Sequence, residues 1–227
     1  MNLSVIIPVY NEVKTIAEII RRVQNTGLAS EILIVDDGSS DGTREYLKTL
    51  EGQPVFHLIY HERNQGKGAA VVTGMRAARG EIMIIQDADL EYDPREYPEL
   101  IRPIEEGIAD VVFGSRFLGA ARRPILFWNM IANKILTFTT NILYNNILTD
   151  METGYKVFRR EIVQDMQIHA HGFEFEPEFT AKILKRRVRL YEVPIRFNPR
   201  DYSDGKKIKI NDAFVAIWSL VKYRFVD

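Results

Sequence analysis

Cysteine is absent from the 227 residues of this chain. That excludes disulfides, thiolate metal sites and cysteine nucleophiles, and it fits a reducing compartment. An excess of one charge is missing as well: 30 Lys and Arg stand against 31 Asp and Glu, a formal net charge of -1. No overall basic field draws the chain to nucleic acid. A leader is not expected either, because Met1 runs almost directly into the apolar stretch Leu3 to Val9 without a basic segment or a cleavage site. There is no Walker sequence, and Gly66-Lys67-Gly68 follows the third apolar run instead of the first, which makes it a weak dinucleotide fingerprint. What remains is 46% hydrophobic and 27% charged, an ordinary globular composition that suits one main domain with a C-terminal appendage.

Apolar runs and helical spacings alternate through the first half. Strands are expected at Leu3 to Val9, Glu31 to Val35, Val55 to His61, Glu81 to Gln86 and Asp110 to Gly114. Helices are expected at Thr15 to Val23, Arg44 to Leu50, Gly66 to Arg79 and Pro94 to Glu106. Strands that are apolar throughout and separated by helices predict an α/β fold with a mainly parallel sheet covered on both faces. Ligands then bind beyond the carboxyl ends of the strands. Three polar clusters fall at those ends: Tyr10-Asn11-Glu12, Asp36-Asp37 and Asp87-Ala88-Asp89.

The last cluster carries the sharpest chemistry. Residues two apart on an extended segment point the same way, so Asp87, Asp89 and Glu91 can converge on one volume. Oxygen ligands of this kind suit a hard cation, Mg2+ or Mn2+, completed by waters and substrate phosphates. A solvated acidic turn leading into Asp93-Pro94 is the competing reading. Asp37 is a second acid where a turn needs only one, so it is a candidate for a nucleobase edge or a ribose hydroxyl. Gly66-Lys67-Gly68-Ala69-Ala70 opens a helix whose N–H groups can face an anion, or whose glycines simply permit close packing.

Pro8-Val9-Tyr10-Asn11-Glu12, the Asp36 to Thr43 segment, Asn64 to Ala70 and Asp87-Ala88-Asp89 together resemble family 2 glycosyltransferases. Within that family the chain is most similar to the dolichyl-phosphate mannose synthase and polyprenyl-phosphate glycosyltransferase group. The resemblance runs from residue 3 to about residue 200. It implies a Rossmann-like GT-A fold with a mixed, mainly parallel sheet, a nucleotide-sugar donor (GDP-mannose or a UDP-sugar), a divalent metal and inversion at the anomeric carbon. By the same resemblance Pro8, Tyr10, Glu12, Asp37, Asp87 and Ala88 bind the donor, and Asp89 and Glu91 hold the metal; Lys67, from its place at the helix start, is a further candidate for the nucleotide. Arg200 and Lys206 would belong to a basic loop over the diphosphate. The group often has Gln where this chain has Glu91.

For the acceptor, a lipid phosphate is already ionised and needs no general base, whereas a hydroxyl does. Asp150, in Thr149-Asp150-Met151-Glu152-Thr153-Gly154-Tyr155-Lys156, is the candidate base. Arg116, Lys156 and Glu178 match family positions near the acceptor. Asn129 and Asn133 stand where mannose synthases of the group tend to place Arg and Ser. Transfer to a sugar or protein hydroxyl, and a non-catalytic nucleotide-sugar-binding module, remain the alternatives.

Pro124 to Leu148 is the longest apolar stretch, with Lys134 its single charge. Its asparagines and helical stripe predict amphipathic helices and not a span. Asn211 to Phe225 predicts another, suited to an anionic membrane surface or a partner. The expected organisation is a GT-A domain over 1–210, divided into a nucleotide-sugar half (1–115) and an acceptor half (116–210), followed by a helix over 211–227. A cytoplasmic protein, soluble or peripheral at a membrane, is the expectation. The oligomeric state is open.

Overall fold

A computed structural model describes residues 2–119, 123, 126–199 and 210–226. Its centre is a seven-stranded sheet in the order β3-β2-β1-β4-β6-β5-β7. Strands β1 (Leu3–Val9), β2 (Ala29–Asp36), β3 (Phe56–Tyr60) and β4 (Ile82–Ile85) pair in parallel, with β1 between β2 and β4. Every residue of β1 is buried, the pattern expected of a strand covered on both faces. Alternate residues feed two cores. Val5, Ile7 and Val9 face one core, with Ile16, Ile19, Ile20 and Val23 of α1 (Ile16–Asn25) and Leu100 and Ile104 of α4 (Tyr97–Glu105). Ile6 faces the other, with Val71 and Met75 of α3 (Lys67–Ala77) and Phe175 and Phe179 of α7 (Phe175–Lys185).

Helix α1 shows how the pattern works. Its isoleucines and valine recur at i, i+3, i+4 and i+7, while Glu18 on the opposite face pairs with Arg21 and Arg22. Helix α3 packs by a different device. A Cβ on Gly74 would lie 2.4 Å from Ile6 Cγ2, so the helix backbone rides directly on β1. Helix α2 (Thr43–Lys48) falls within two residues of its expected bounds.

The second half supplies the antiparallel part of the mixed, mainly parallel sheet that the resemblance implies. Strand β6 (Lys156–Arg159) inserts between β4 and β5 (Val111–Ser115) and runs antiparallel to both. It is four residues long and begins at Lys156, the last residue of the quoted Thr149 to Lys156 stretch, where no strand is expected from the sequence. The sheet is therefore mixed, and β7 (Leu190–Pro194) restores a parallel pair with β5.

The long apolar stretch forms one helix, α5 (Phe127–Tyr144), ended by Asn145 in the left-handed conformation at φ 50°. Asn141 near its end has a local partner: it both donates to Leu148 O and accepts from Leu148 N, at 2.8 Å each. Helix α8 (Ile210–Phe225) lies on α5 and α7, with Tyr144 donating its hydroxyl to Leu220 O at 2.7 Å. Short α6 (Arg160–Val163) follows β6. Among the described residues no helix is long and apolar enough to cross a membrane. Large apolar side chains nevertheless face outward from α5 and α8, including Trp128 and Trp218 at 76% and 66% exposure.

Candidate active site

The loops after β1 and β2 are sewn together at the carboxyl rim of the sheet. Asn11 N donates to Ser39 Oγ, Ser40 N to Asn11 Oδ1 and Glu12 N to Thr43 Oγ1, all within 2.9 Å. Asn11 takes a left-handed φ of 54°, which Asn tolerates. Pro8 stays buried inside β1, Glu12 is half-buried, and Tyr10 is exposed beside the rim. The two acids after β2 divide their work. Asp36 pairs with Arg44, whereas Asp37 accepts from Gln65 N at 2.9 Å and Gly66 N at 2.8 Å and lies 2.7 Å from His61 Nδ1. Asp37 thus clamps the loop that leads into α3.

That loop carries Lys67 to the acidic triplet. Lys67 Nζ is 2.6 Å from Asp87 Oδ1 and 3.7 Å from Glu176 Oε1. Burial lowers the pKa of Lys67, but the charges of Asp87 and Glu176 outweigh it and hold the ammonium protonated. Two N–H groups at the α3 terminus are already taken by the protein: Gly66 N serves Asp37, and Ala69 N donates to His171 O at 3.1 Å. The packing reading has direct support. A Cβ on Gly66, whose φ is 100°, would stand 2.3 Å from His171 O.

Beyond β4, Gln86 is fully buried and accepts from the hydroxyls of Tyr97 and Tyr155, which fixes the segment that follows. Ala88 is buried, and Asp87, Asp89 and Glu91 are half-buried. Asp89 Oδ1 accepts from Glu91 N at 3.1 Å, over a Leu90 held at φ 64°. Among the described residues no three acidic or histidine side chains converge tightly enough to enclose a cation alone. The donor set fits a metal that takes one or two carboxylates and completes its shell from phosphate and water, the usual habit of Mg2+.

A turn from the second half closes against this edge. A Cβ on Gly154 would lie 2.5 Å from Asp87 Oδ2, and Gly154 N donates to the Tyr92 hydroxyl at 3.0 Å. At the start of that turn Asp150 is fully buried. Arg116 reaches it with a two-pronged pair, Nε and Nη2 each 2.7 Å from a carboxylate oxygen, and with its backbone N–H at 3.0 Å. Asn133 Nδ2 adds a fourth bond at 3.0 Å. Burial opposes the Arg116 charge, but Tyr92 and Asp150 outweigh it and raise its pKa. Its guanidinium stacks 5.1 Å from the Phe197 ring.

This geometry corrects several sequence expectations. Asp150 is a poor general base, because the donors of Arg116 and Asn133 already occupy both oxygens. Asn133 serves Asp150 instead of a ligand, while Asn129 lies half-buried one turn earlier on α5. Lys156, expected to meet a phosphate, is fully buried and donates to Met151 O, Thr153 O and Glu176 Oε2. Glu178 is fully buried too, holding His169 N, Ala170 N and Lys182. Both are positioning groups, because burial leaves each side chain facing its protein partners alone. Arg200 and Lys206 lie outside the described residues. Sequence reasoning assigned no role to Glu152, Glu176, Gln86 or Tyr92. Their signal was placement alone: Glu152 sits inside the quoted turn, and Glu176 two residues before Glu178.

The rim, the acidic triplet and the buried Arg116–Asp150 pair gather at one edge of an α/β sheet, and comparison with known proteins gives the family. A family model, glycosyl transferase family 2, matches residues 4–167, and the chain belongs to that family. Dolichol-phosphate mannosyltransferase of Pyrococcus furiosus is 31% identical over 211 residues, 91% of this chain and 59% of that protein. Undecaprenyl-phosphate 4-deoxy-4-formamido-L-arabinose transferase of Salmonella paratyphi B is 33% identical over 209 residues, 89% of this chain and 62% of that protein. The chain spans about three fifths of the length of both relatives. Among solved structures, glucosyl-3-phosphoglycerate synthase of Mycobacterium tuberculosis, in complex with Mn2+, UDP and phosphoglyceric acid, superposes with a TM-score of 0.76 at 20% identity. All of this chain and 79% of that one are covered, and the shared fold is GT-A.

Proposed function

We propose that the chain transfers a hexosyl group, with inversion, from a nucleoside diphosphate sugar to the phosphate of a polyprenyl lipid. The observation that carries this reading is the alignment of about nine tenths of the chain with relatives named for lipid-phosphate acceptors. Asp89 with Glu91 would hold Mg2+ or Mn2+, which supplies charge neutralisation on the departing diphosphate. Tyr10, Glu12 and the Asp37-clamped loop would frame the nucleoside, and Lys67 would keep Asp87 in place beside it. Arg116, stacked and fixed by Asp150, would present a permanent positive charge to phosphate. A phosphate acceptor attacks as an anion and asks no base of the protein, which agrees with an Asp150 whose oxygens are all engaged.

The outward-facing Trp128, Phe138, Ile142, Trp218 and Phe225, with Lys134 and Arg224 nearby, support contact with an anionic membrane surface. The test is transfer from GDP- and UDP-sugars to a short polyprenyl phosphate with Mn2+ present. Asp89→Ala is expected to lower kcat by about 100- to 1000-fold while the fold is retained. Metal-dependent donor binding without turnover on any acceptor would instead favour a binding module.

A further inference from the structure

One corner of the site holds polar atoms that the protein leaves unbonded. Oε1 of Glu152, Oγ1 of Thr153 and Oε1 of Glu176 are each buried without a hydrogen-bond partner. Glu176 is only 6% exposed and Thr153 is fully buried. Buried polar atoms are ordinarily paired, so a cluster of orphans marks a place where something else binds or reacts.

The orphans share one ammonium. Lys156 Nζ donates to the carbonyls on either side of Glu152, those of Met151 and Thr153, and to Oε2 of Glu176. The turn and helix α7 therefore close on the same cation and bring their carboxyl groups into one locale. Lys67 joins this corner to the acidic triplet, bonding Asp87 at 2.6 Å with Glu176 Oε1 3.7 Å away.

Carboxylate oxygens want donors, and the candidates differ in what they bring. A phosphate brings only acceptors and a like charge. A metal ion would be opposed by two ammonium groups already present. A sugar brings neutral O–H donors, several on one small ring. We propose that Glu152, with Glu176 behind it, recognises hydroxyl groups of the sugar being transferred and so sets which hexose the donor carries. This assignment rests on the donor reading above. Burial and the Glu176 charge also push Glu152 up to about 7, so its ionised form has the more to gain from O–H donors.

The experiment is calorimetric titration with Mn2+ of the full chain and of Glu152→Gln. The ligands are GDP- and UDP-hexoses, their singly deoxygenated analogues, and bare GDP and UDP. The wild type is expected to lose about 10- to 100-fold in affinity when one particular hydroxyl is removed. Glu152→Gln should bind both forms of that donor alike, and bare nucleotide within about twofold of the wild type. Glu152→Ala serves as a second variant should the first not fold, with the same pattern expected. A variant that still discriminates as the wild type does, a wild type indifferent to every hydroxyl, or a parallel loss of bare-nucleotide affinity overturns the assignment alone. A wild type that binds none of the nucleotide sugars overturns the donor reading and this assignment with it.

Discussion

The acids of the two halves of the sheet live in different surroundings. Beyond β4, Asp87, Asp89 and Glu91 are half-buried on one edge, with Lys67 on Asp87 and the Glu91 N–H on Asp89. Across the turn that closes on them, Asp150 and Glu178 are fully buried and their oxygens are taken up by protein donors. A half-buried carboxylate can trade a weak partner for a ligand. A buried one tied by an Arg fork cannot do so without leaving a charge stranded. In the proposed reaction the first half would offer most of the ligands and the second would build the frame that holds them, with Arg116, Glu152 and Glu176 as the exceptions.

The largest expected effect tests that division directly. Arg116→Ala leaves Asp150 buried without its main counter-charge, which costs about 3–5 kcal/mol. In a chain of this size the melting temperature should fall by about 6–20 °C. Asp89→Ala removes a half-exposed acid and should shift it by no more than about 2 °C. Thermal unfolding of both variants, followed by circular dichroism, decides the matter. Equal shifts would erase the distinction between ligand edge and frame.

The first half was readable because each of its signals is local. A strand such as Leu3 to Val9 is an unbroken apolar run, and helix α1 repeats its apolar residues at helical spacing, so neither needs knowledge of distant residues. Strand β6 is four residues whose partners lie more than 40 positions away, and nothing in Lys-Val-Phe-Arg announces them. The same reason hid the fate of Lys156 and Asp150. Residue type and the family resemblance suggested a phosphate ligand and a base, but their surroundings are set by Glu176, Arg116 and Asn133, which only the fold brings near. Asp37 is the converse case in the first half: its position was legible, and its grip on the β3–α3 loop was not.

The second half also carries the outward apolar faces of α5 and α8, which the first half lacks at comparable size. Burying one such aromatic in a lipid interface is worth about 1.5–3 kcal/mol. Trp218→Glu should weaken binding to vesicles of anionic phospholipid by about 10-fold or more and leave the melting temperature nearly unchanged. Co-sedimentation measures the first and calorimetry the second. Undiminished vesicle binding would assign this face to something other than membrane.

The smallest expected effect concerns the exception to the frame. Burial and the charges of Glu176 and Asp150 raise Glu152, against the pull of Lys156 and Arg116, from an ordinary 4.5 to about 7. Between those values the folded chain keeps a proton that the unfolded chain releases, so this group's stabilising contribution is complete below about 4.5 and is lost as pH rises through about 7. Glutamine has the same shape and no such dependence. Glu152→Gln should therefore match the wild type near pH 5 and exceed its melting temperature by roughly 2–5 °C at pH 8, an amount discounted for the partial exposure of the side chain. A gap that stays flat from pH 5 to 8 would mean that Glu152 titrates as a solvated acid and that the corner it shares with Glu176 is open to water.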